Sequence, residues 1–541
     1  MSERSVKLRE KMNYVWLFLC LVCVFMMAYL ATKYTLFEEP TKELQVAREK
    51  PIAKPSPHQD HVPKTKKADR GNTGKFDGAA FAEGAIPNQR IIAFKDRDAM
   101  QRFLANMGDG LSVLGRMDKF NTLLLGFGDE ANLLGALDGS EETSYNFPVN
   151  IPEFAGSGIQ HGAAALNNGL LNWLGVTGDN SLWGSGVKIA ILDTGIADHT
   201  VFGNAIERIN LVPLPENPSD LNGHGTAVAS VIFSDNPFAP GIAPGATPLS
   251  IRIADDNGSS SSFLIAQGII AAVDQGASII NISLGGSGRS GLVENALEYA
   301  KLAGSVVVAS AGNSGTEGVM HPAASPLVSA IGAVDANNLH MDFSTTGNEV
   351  AMSAPGYAVN VAYPGDQAAV VSGTSFSSPI IAGTIAATMS NNGSQTLNAT
   401  AALSSVNSNL NDVGILGSDP LTGAGVPDMW RILNGNTPGI YDAAITSVSI
   451  TENQVQVLVQ NLGTETMVNA ELDVNINGST TNANITTLLP GHTRVVTVPI
   501  SSSESLNISS SVQLSGGQSD QRPSNDSISQ TVTATVPASD P

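Results

Sequence analysis

The chain has 541 residues, 42% apolar and 14% charged, with 54 Gly and 28 Pro. That mix is too apolar for a disordered protein, and the length allows about three to five folding units. The formal charge of −21 excludes a general nucleic-acid-binding role, which needs clustered cations. The charge is also uneven. Residues 1–75 carry 14 Lys/Arg against 8 Asp/Glu, net +6, and the remainder carries 14 against 41, net −27. A basic stalk therefore precedes an acidic bulk.

At the N-terminus, Arg4, Lys7, Arg9 and Lys11 precede Tyr14–Ala31, an uncharged run of 18 residues. At ~1.5 Å of rise per residue this reaches across a bilayer. No Ala-x-Ala cleavage pattern follows it, so a retained anchor within residues 1–33 is expected, with a cleaved signal peptide as the alternative. The leading cations place the N-terminus in the cytoplasm and the rest of the chain outside. Cys20 and Cys23 both lie inside this run and read as small apolar anchor residues, which leaves no disulfide framework for the remainder. Residues 34–85, with Lys64-Thr-Lys-Lys67, read as a solvated Pro/Lys-rich linker.

The pattern changes over residues 86–155. Arg90–Phe94 reads as a strand and Arg97–Met107 as a helix. Leu111–Gly126 follows as one or two strands, Glu130–Leu137 as a short helix and Glu141–Val149 as another strand, giving a small α+β unit. Residues 156–437 alternate short apolar runs with helical segments. The strands are Val187–Leu192, Leu249–Ile253, Ser278–Ile282, Ser305–Ala309 and Val328–Ala333. The helices are Thr226–Phe233, Ser262–Gln275, Leu292–Ala303 and Ser375–Met389. Continuous apolar strands separated by helices predict an α/β fold with a parallel sheet covered on both faces. In such sheets chemistry sits at the carboxyl ends of the strands. Residues 438–536 become Ser/Thr/Asn/Val-rich with alternating valines, the pattern of an all-β sandwich. The sequon Asn484-Ile-Thr486 is of a kind common by chance in such composition and does not establish glycosylation.

Three segments carry chemistry. Asp193 follows a buried strand in Ile189-Ala-Ile-Leu-Asp-Thr-Gly-Ile196, His224 lies between glycines in Asn222-Gly-His-Gly-Thr226, and Ser375 opens a helix in Ser372-Gly-Thr-Ser-Phe-Ser-Ser-Pro379. Alone, each has a plainer reading as a turn Asp, a core His or a helix-capping Ser. Together, in the order Asp…His…Ser, they resemble the subtilase family of serine peptidases. That order separates them from the α/β-hydrolases and the chymotrypsin-like enzymes.

The resemblance implies a subtilisin-like parallel sheet and an endopeptidase with Asp193, His224 and Ser375 as the triad. Ala309-Ser-Ala-Gly-Asn313 is similar to the oxyanion segment, with Asn313 as side-chain donor. Ser283, Leu284, Gly285 and Gly286 would form one wall of the substrate pocket, with Ala311 and Gly312 as the other. Asp255–Ser261 is placed like the segment that pairs with the peptide's upstream residues. The α+β unit resembles an inhibitory propeptide, and the C-terminal part resembles CARDB-type or other Ig-like modules. Expected partners are protein or peptide substrates, the chain's own propeptide and, through the N-terminal segment, a membrane. The chemistry needs no cofactor. Family members often bind structural Ca²⁺, but no Asp-rich loop here fixes a site.

Overall fold

The computed structural model describes residues 83–152, 163–176, 178–212, 220, 222–316, 318–390, 397–451, 454–500 and 505–533. The expected anchor and almost all of the linker, together with the stretch 153–162, lie outside them. Among the described residues no helix is long and apolar enough to cross a membrane.

The first unit contains β1 (Gln89–Ala93), α1 (Arg97–Asn106), β2 (Leu111–Met117), β3 (Thr122–Phe127), α2 (Glu130–Ala136) and β4 (Glu142–Ser144). Its antiparallel sheet has the order β2-β3-β1-β4. Asp96 and Asp129 start the two helices, their carboxylates accepting from the N–H groups of Ala99 and Ala131 at 2.7 and 2.9 Å. Period-2 alternation gives the sheet two buried faces. Ile92, Leu123 and Leu125 pack with Met100, Phe103 and Leu133 of the helices. Ile91, Leu124 and Met117 on the other face join a cluster with Phe263, Ile265 and Ala266.

The expected strand Glu141–Val149 is broken in two. Its second piece, β5 (Pro148–Asn150), leaves the small sheet and pairs antiparallel with Ser259–Ser261. The chain is diverted at Asn146, whose side-chain oxygen accepts from Ser262 Oγ at 3.0 Å and the Phe263 N–H at 3.1 Å.

The central region contributes β6 (Lys188–Asp193), β7 (Glu207–Asn210), α3 (His224–Phe233), β8 (Thr247–Arg252), β9 (Ser259–Ser261), α4 (Ser262–Asp274) and β10 (Ile279–Ile282). It continues with α5 (Gly291–Leu302), β11 (Val306–Ser310), β12 (Ser329–Val334), β13 (Val350–Pro355), the hairpin β14 (Val359–Tyr363) and β15 (Gln367–Val371), and α6 (Thr374–Met389). Seven of these strands form one sheet in the order β13-β12-β11-β10-β6-β8-β7, every pair parallel. This is the subtilisin-like α/β fold. Alternate residues of one strand feed opposite cores. Ile189 and Ile191 pack with α3 and α6, and Ala190 and Leu192 with α4 and α5. Helix α6 is buried at every position, which explains why it carries no amphipathic stripe.

The C-terminal part has two antiparallel sheets. One holds Ala443–Thr451, Gln454–Asn461 and Thr493–Pro499; the other holds Ser479–Leu488, Met467–Ile476, Ser505–Gln513 and Ser527–Thr533. Val455, Val457, Leu472, Val474 and Val512 meet between them. Arg522 ties this part to the central region by donating to Asp428 at 2.9 Å, and within its own part it ion-pairs with Asp442 at 3.3 Å.

Candidate active site

Asp193 is the last residue of β6, and His224 the first of α3. Both are fully buried. Nδ1 of His224 lies 2.8 and 2.9 Å from the two carboxylate oxygens of Asp193. The Thr194 N–H donates to the same carboxylate at 2.8 Å and fixes its rotamer. The glycines flanking His224 are sterically required. Gly223 has φ 88°, and a Cβ there would fall 2.4 Å from the Tyr363 ring. A Cβ on Gly225 would fall 2.0 Å from the Gly195 carbonyl oxygen, forcing α3 away from the Asp193 strand.

Sequence reasoning passed over Asp220. Its carboxylate accepts from the Gly223 N–H at 2.8 Å, the Thr226 N–H at 3.0 Å and the Thr226 hydroxyl at 2.7 Å, and so holds the turn that presents His224. Burial pushes its carboxyl above the usual range, against the pull of those hydrogen bonds. The signal available was a carboxylate four residues before the His-Gly pair. Tyr363 was missed as well, and its hydroxyl donates to the Asn222 carbonyl at 2.7 Å.

Ser375 sits in the first turn of α6, beyond Gly373 at φ 149°. Pro379 is the sixth residue of α6, four after Ser375. Lacking an N–H, it leaves the Ser375 carbonyl without its helical donor. The Ser283 hydroxyl fills that vacancy at 3.0 Å, and the Ser375 hydroxyl donates to the Ser283 carbonyl at 3.2 Å. Asn281 orients this pair, donating to Ser283 Oγ at 3.0 Å and accepting from Ser378 Oγ at 2.6 Å.

Asn313 accepts from the Thr374 N–H at 2.9 Å and the Thr374 hydroxyl at 2.8 Å through its side-chain oxygen. Its amide nitrogen is thereby turned toward Gly373, where a Cβ would approach it to 2.9 Å. The His224 and Phe376 rings are 5.8 Å apart, so the Asp–His half meets the helix that carries Ser375.

Of the expected pocket walls, Leu284 and Ala311 are fully buried. The side chain of Met320, unremarked in the sequence, packs against both walls. A Cβ on Gly285 would lie 2.9 Å from Met320 Cβ, and one on Gly312 would lie 2.7 Å from its sulfur. Arg289, which follows the Ser283–Gly286 wall, is paired with Glu294 at 3.2 Å and half exposed. Among the described residues no group of three or more His, Cys, Asp or Glu side chains is placed to hold a metal ion.

The cleft between Gly258–Ser261 and Gly285 already holds a strand. Pro148, Val149 and Asn150 pair with Ser261, Ser260 and Ser259. Asn150 exchanges both main-chain hydrogen bonds with Gly285 at 3.0 Å, and the Ile151 N–H donates to the Gly258 carbonyl at 3.0 Å.

A buried carboxylate–imidazole pair at the carboxyl end of a parallel strand, beside a serine at a helix start, is a serine-hydrolase arrangement. The family described as "Subtilase family" matches residues 184–425. The chain is 37% identical over 237 residues to thermitase of Thermoactinomyces vulgaris, covering 43% of this chain and 84% of that protein. It is 38% identical over 213 residues to subtilisin Savinase of Lederbergia lenta, covering 38% and 78%. It is 39% identical over 213 residues to the thermostable alkaline protease of Halalkalibacterium halodurans, covering 38% of this chain but only 58% of that one. A solved structure of a mutant protease domain of PatA is 30% identical, covering 48% of this chain and 99% of that domain, with a TM-score of 0.43. The chain belongs to the subtilase family, and its enzyme class is that of a subtilisin-like serine endopeptidase.

Proposed function

We propose that the chain is an extracytoplasmic serine endopeptidase made as a zymogen. The observation that carries this reading is the Asp193 carboxylate on Nδ1 of His224, beside the start of the helix that bears Ser375. Asp193 holds the imidazole with Nδ1 protonated, leaving Nε2 to take the Ser375 proton as Oγ attacks a peptide carbonyl. The Asn313 amide and the N–H groups at the start of α6 face the developing oxyanion, where donors are worth most in a water-excluded site. His224 then protonates the leaving amine, and water hydrolyses the acyl-enzyme.

The unit formed by residues 86–155 acts as a propeptide in this reading. Its sheet packs on α4 and α5, Lys119 reaches Asp274 at 2.9 Å, and its tail fills the cleft. The C-terminal sheets serve as an Ig-like module, and residues 1–33 carry the protein out of the cytoplasm as an anchor or a cleaved signal. A fluorophosphonate probe on the processed enzyme tests the central claim. Labelling confined to Ser375 and lost in Ser375→Ala is expected. Equal peptidase activity in Ser375→Ala would refute it.

A further inference from the structure

Cys20 and Cys23 are the chain's only cysteines, so the central region offers an oxidant no thiol. Its most oxidisable side chains are the thioethers of Met320, Met341, Met352, Met389 and Met429. The last four are 2% exposed or less. Met320 alone among them is partly exposed. It is also the methionine that stands between the two pocket walls. Its sulfur lies 2.7 Å from where a Gly312 Cβ would fall and 3.7 Å from the corresponding point at Gly285. We propose that Met320 is a modification site, at which a hydroperoxide converts the thioether to a sulfoxide and so changes what the pocket accepts. The modification stands on exposure and thioether chemistry; its consequence rests on the peptidase reading above.

Main-chain bonds hold Met320 in this place. Its N–H donates to the Ala311 carbonyl of one wall at 3.1 Å. On the other wall, the His321 N–H donates to the Gly286 carbonyl at 2.8 Å, and the Gly286 N–H donates back to the His321 carbonyl at 3.0 Å. Each wall is thus bonded to the segment that carries the sulfur, and neither can move away from it alone.

The step balances without any group from the protein. A lone pair on Sδ attacks one oxygen of the hydroperoxide, the O–O bond breaks, and a proton passes to the departing oxygen to give water or an alcohol. Sulfur gives up an electron pair and the peroxide takes it. A side chain on Gly285 or Gly312 would already crowd Met320, so the added oxygen has room only in the space between the walls. There it is a strong acceptor. An apolar substrate side chain laid against it would strip its water without replacing the hydrogen bond. A side chain ending in an amide supplies the donor. Oxidation should therefore move the preference from Leu toward Gln, two side chains of similar length.

The test treats the purified enzyme with dilute hydrogen peroxide and follows each methionine by peptide mass mapping. Met320 should gain its oxygen roughly tenfold or more faster than Met341, Met352, Met389 or Met429. In step with it, the ratio of kcat/KM for matched Leu and Gln peptides should fall about tenfold, and a methionine sulfoxide reductase should return it. In Met320→Leu the same ratio, whatever its starting value, should not respond to peroxide. Equal oxidation of the buried methionines, or none at Met320, would overturn the modification site. A Met320 sulfoxide with an unmoved ratio, or a ratio that moves equally in Met320→Leu, would overturn its effect on the pocket. Mapping on Ser375→Ala reads the oxidation without catalysis, so an enzyme that cleaves no peptide before the oxidant is added refutes the peptidase reading and leaves the modification site standing.

Discussion

At the scale of single residues, Asn313 and Met320 carry the sharpest consequences. Asn313 is oriented by two hydrogen bonds from Thr374, so its amide nitrogen is preorganised rather than recruited. Asn313→Ala should fold normally and lose on the order of 10²–10³ in kcat, the usual cost of one oxyanion donor. Steady-state kinetics on the processed enzyme would decide it, and full activity would remove Asn313 from the role. Met320 bears on substrate preference. The walls carry no charged side chain, so a basic residue before the scissile bond would be desolvated without a partner. With Met320 packed against both walls, small uncharged residues should be preferred to Phe, Lys or Arg. Met320→Gly should raise kcat/KM for a Phe peptide by about tenfold or more while changing an Ala peptide little, because pocket volume is worth 1–3 kcal/mol per methylene-sized step. Matched peptides with Ala, Leu, Phe, Lys or Arg at that position measure this directly.

At the scale of elements, the site depends on how closely α3 can approach the end of β6. Gly225→Ala would set a methyl 2.0 Å from the Gly195 carbonyl oxygen, and the helix must back away. A displacement near 1 Å can cost ~10² in rate, so a loss of that order or more in kcat/KM is expected, with Tm lowered by a few degrees. Retained activity would mean the loop relaxes without moving the imidazole. The elements themselves were largely legible in the sequence. Runs such as Ile279–Ile282 and Val306–Ser310 are apolar throughout because helices cover both faces of the sheet. What the sequence concealed was set by tertiary partners. Glu207–Asn210 is an edge strand with little apolar content, so no hydrophobic run announced it. Glu141–Val149 is divided by the hydrogen bonds from Ser262 and Phe263 to Asn146, partners more than a hundred residues away in the chain. The Asp193–His224 pair and the serine at the start of α6 stand in motifs that the sequence displays openly. Met320 was not legible there, since its role exists only through contacts with Gly285 and Gly312 on other segments, whereas Asp220 bonds locally to Gly223 and Thr226 and left a faint signal.

At the scale of the whole molecule, the C-terminal part carries raised carboxyls that make its stability sensitive to pH. Burial pushes the Asp442 carboxyl up to about 6, with Arg522 opposing, and burial together with Asp520 pushes Asp526 up to about 7. Both lie above the ordinary 3.8, so between that value and 6–7 the folded state keeps protons the unfolded chain has released. The stability these groups contribute is complete below the unfolded value and is lost as pH rises through the folded one. Unfolding of the C-terminal part should therefore shift to higher temperature on going from about pH 8 to about pH 5.5. Asp526→Asn should flatten that response. A calorimetric scan at several pH values checks it, and an unchanged slope in the variant would assign the dependence to other groups. Asp526 is the cleaner choice for the test because Asp442→Asn would also remove the ion pair to Arg522.

The strand Pro148–Asn150 is held in the cleft by main-chain bonds on both edges, and under the zymogen reading a cut beyond it would break none of them. Before the cut, the tether keeps the local concentration of that strand far above any solution value. In the zymogen reading, the small α+β unit would afterwards be a separate molecule still seated in the cleft. Opening of the cleft then turns from a bond-breaking problem into one of mass action. Dilution would favour the free enzyme, while crowding many copies together would keep it closed. The first exposed peptide bond to be destroyed would be one in the departed unit, since its loss alone makes the opening irreversible.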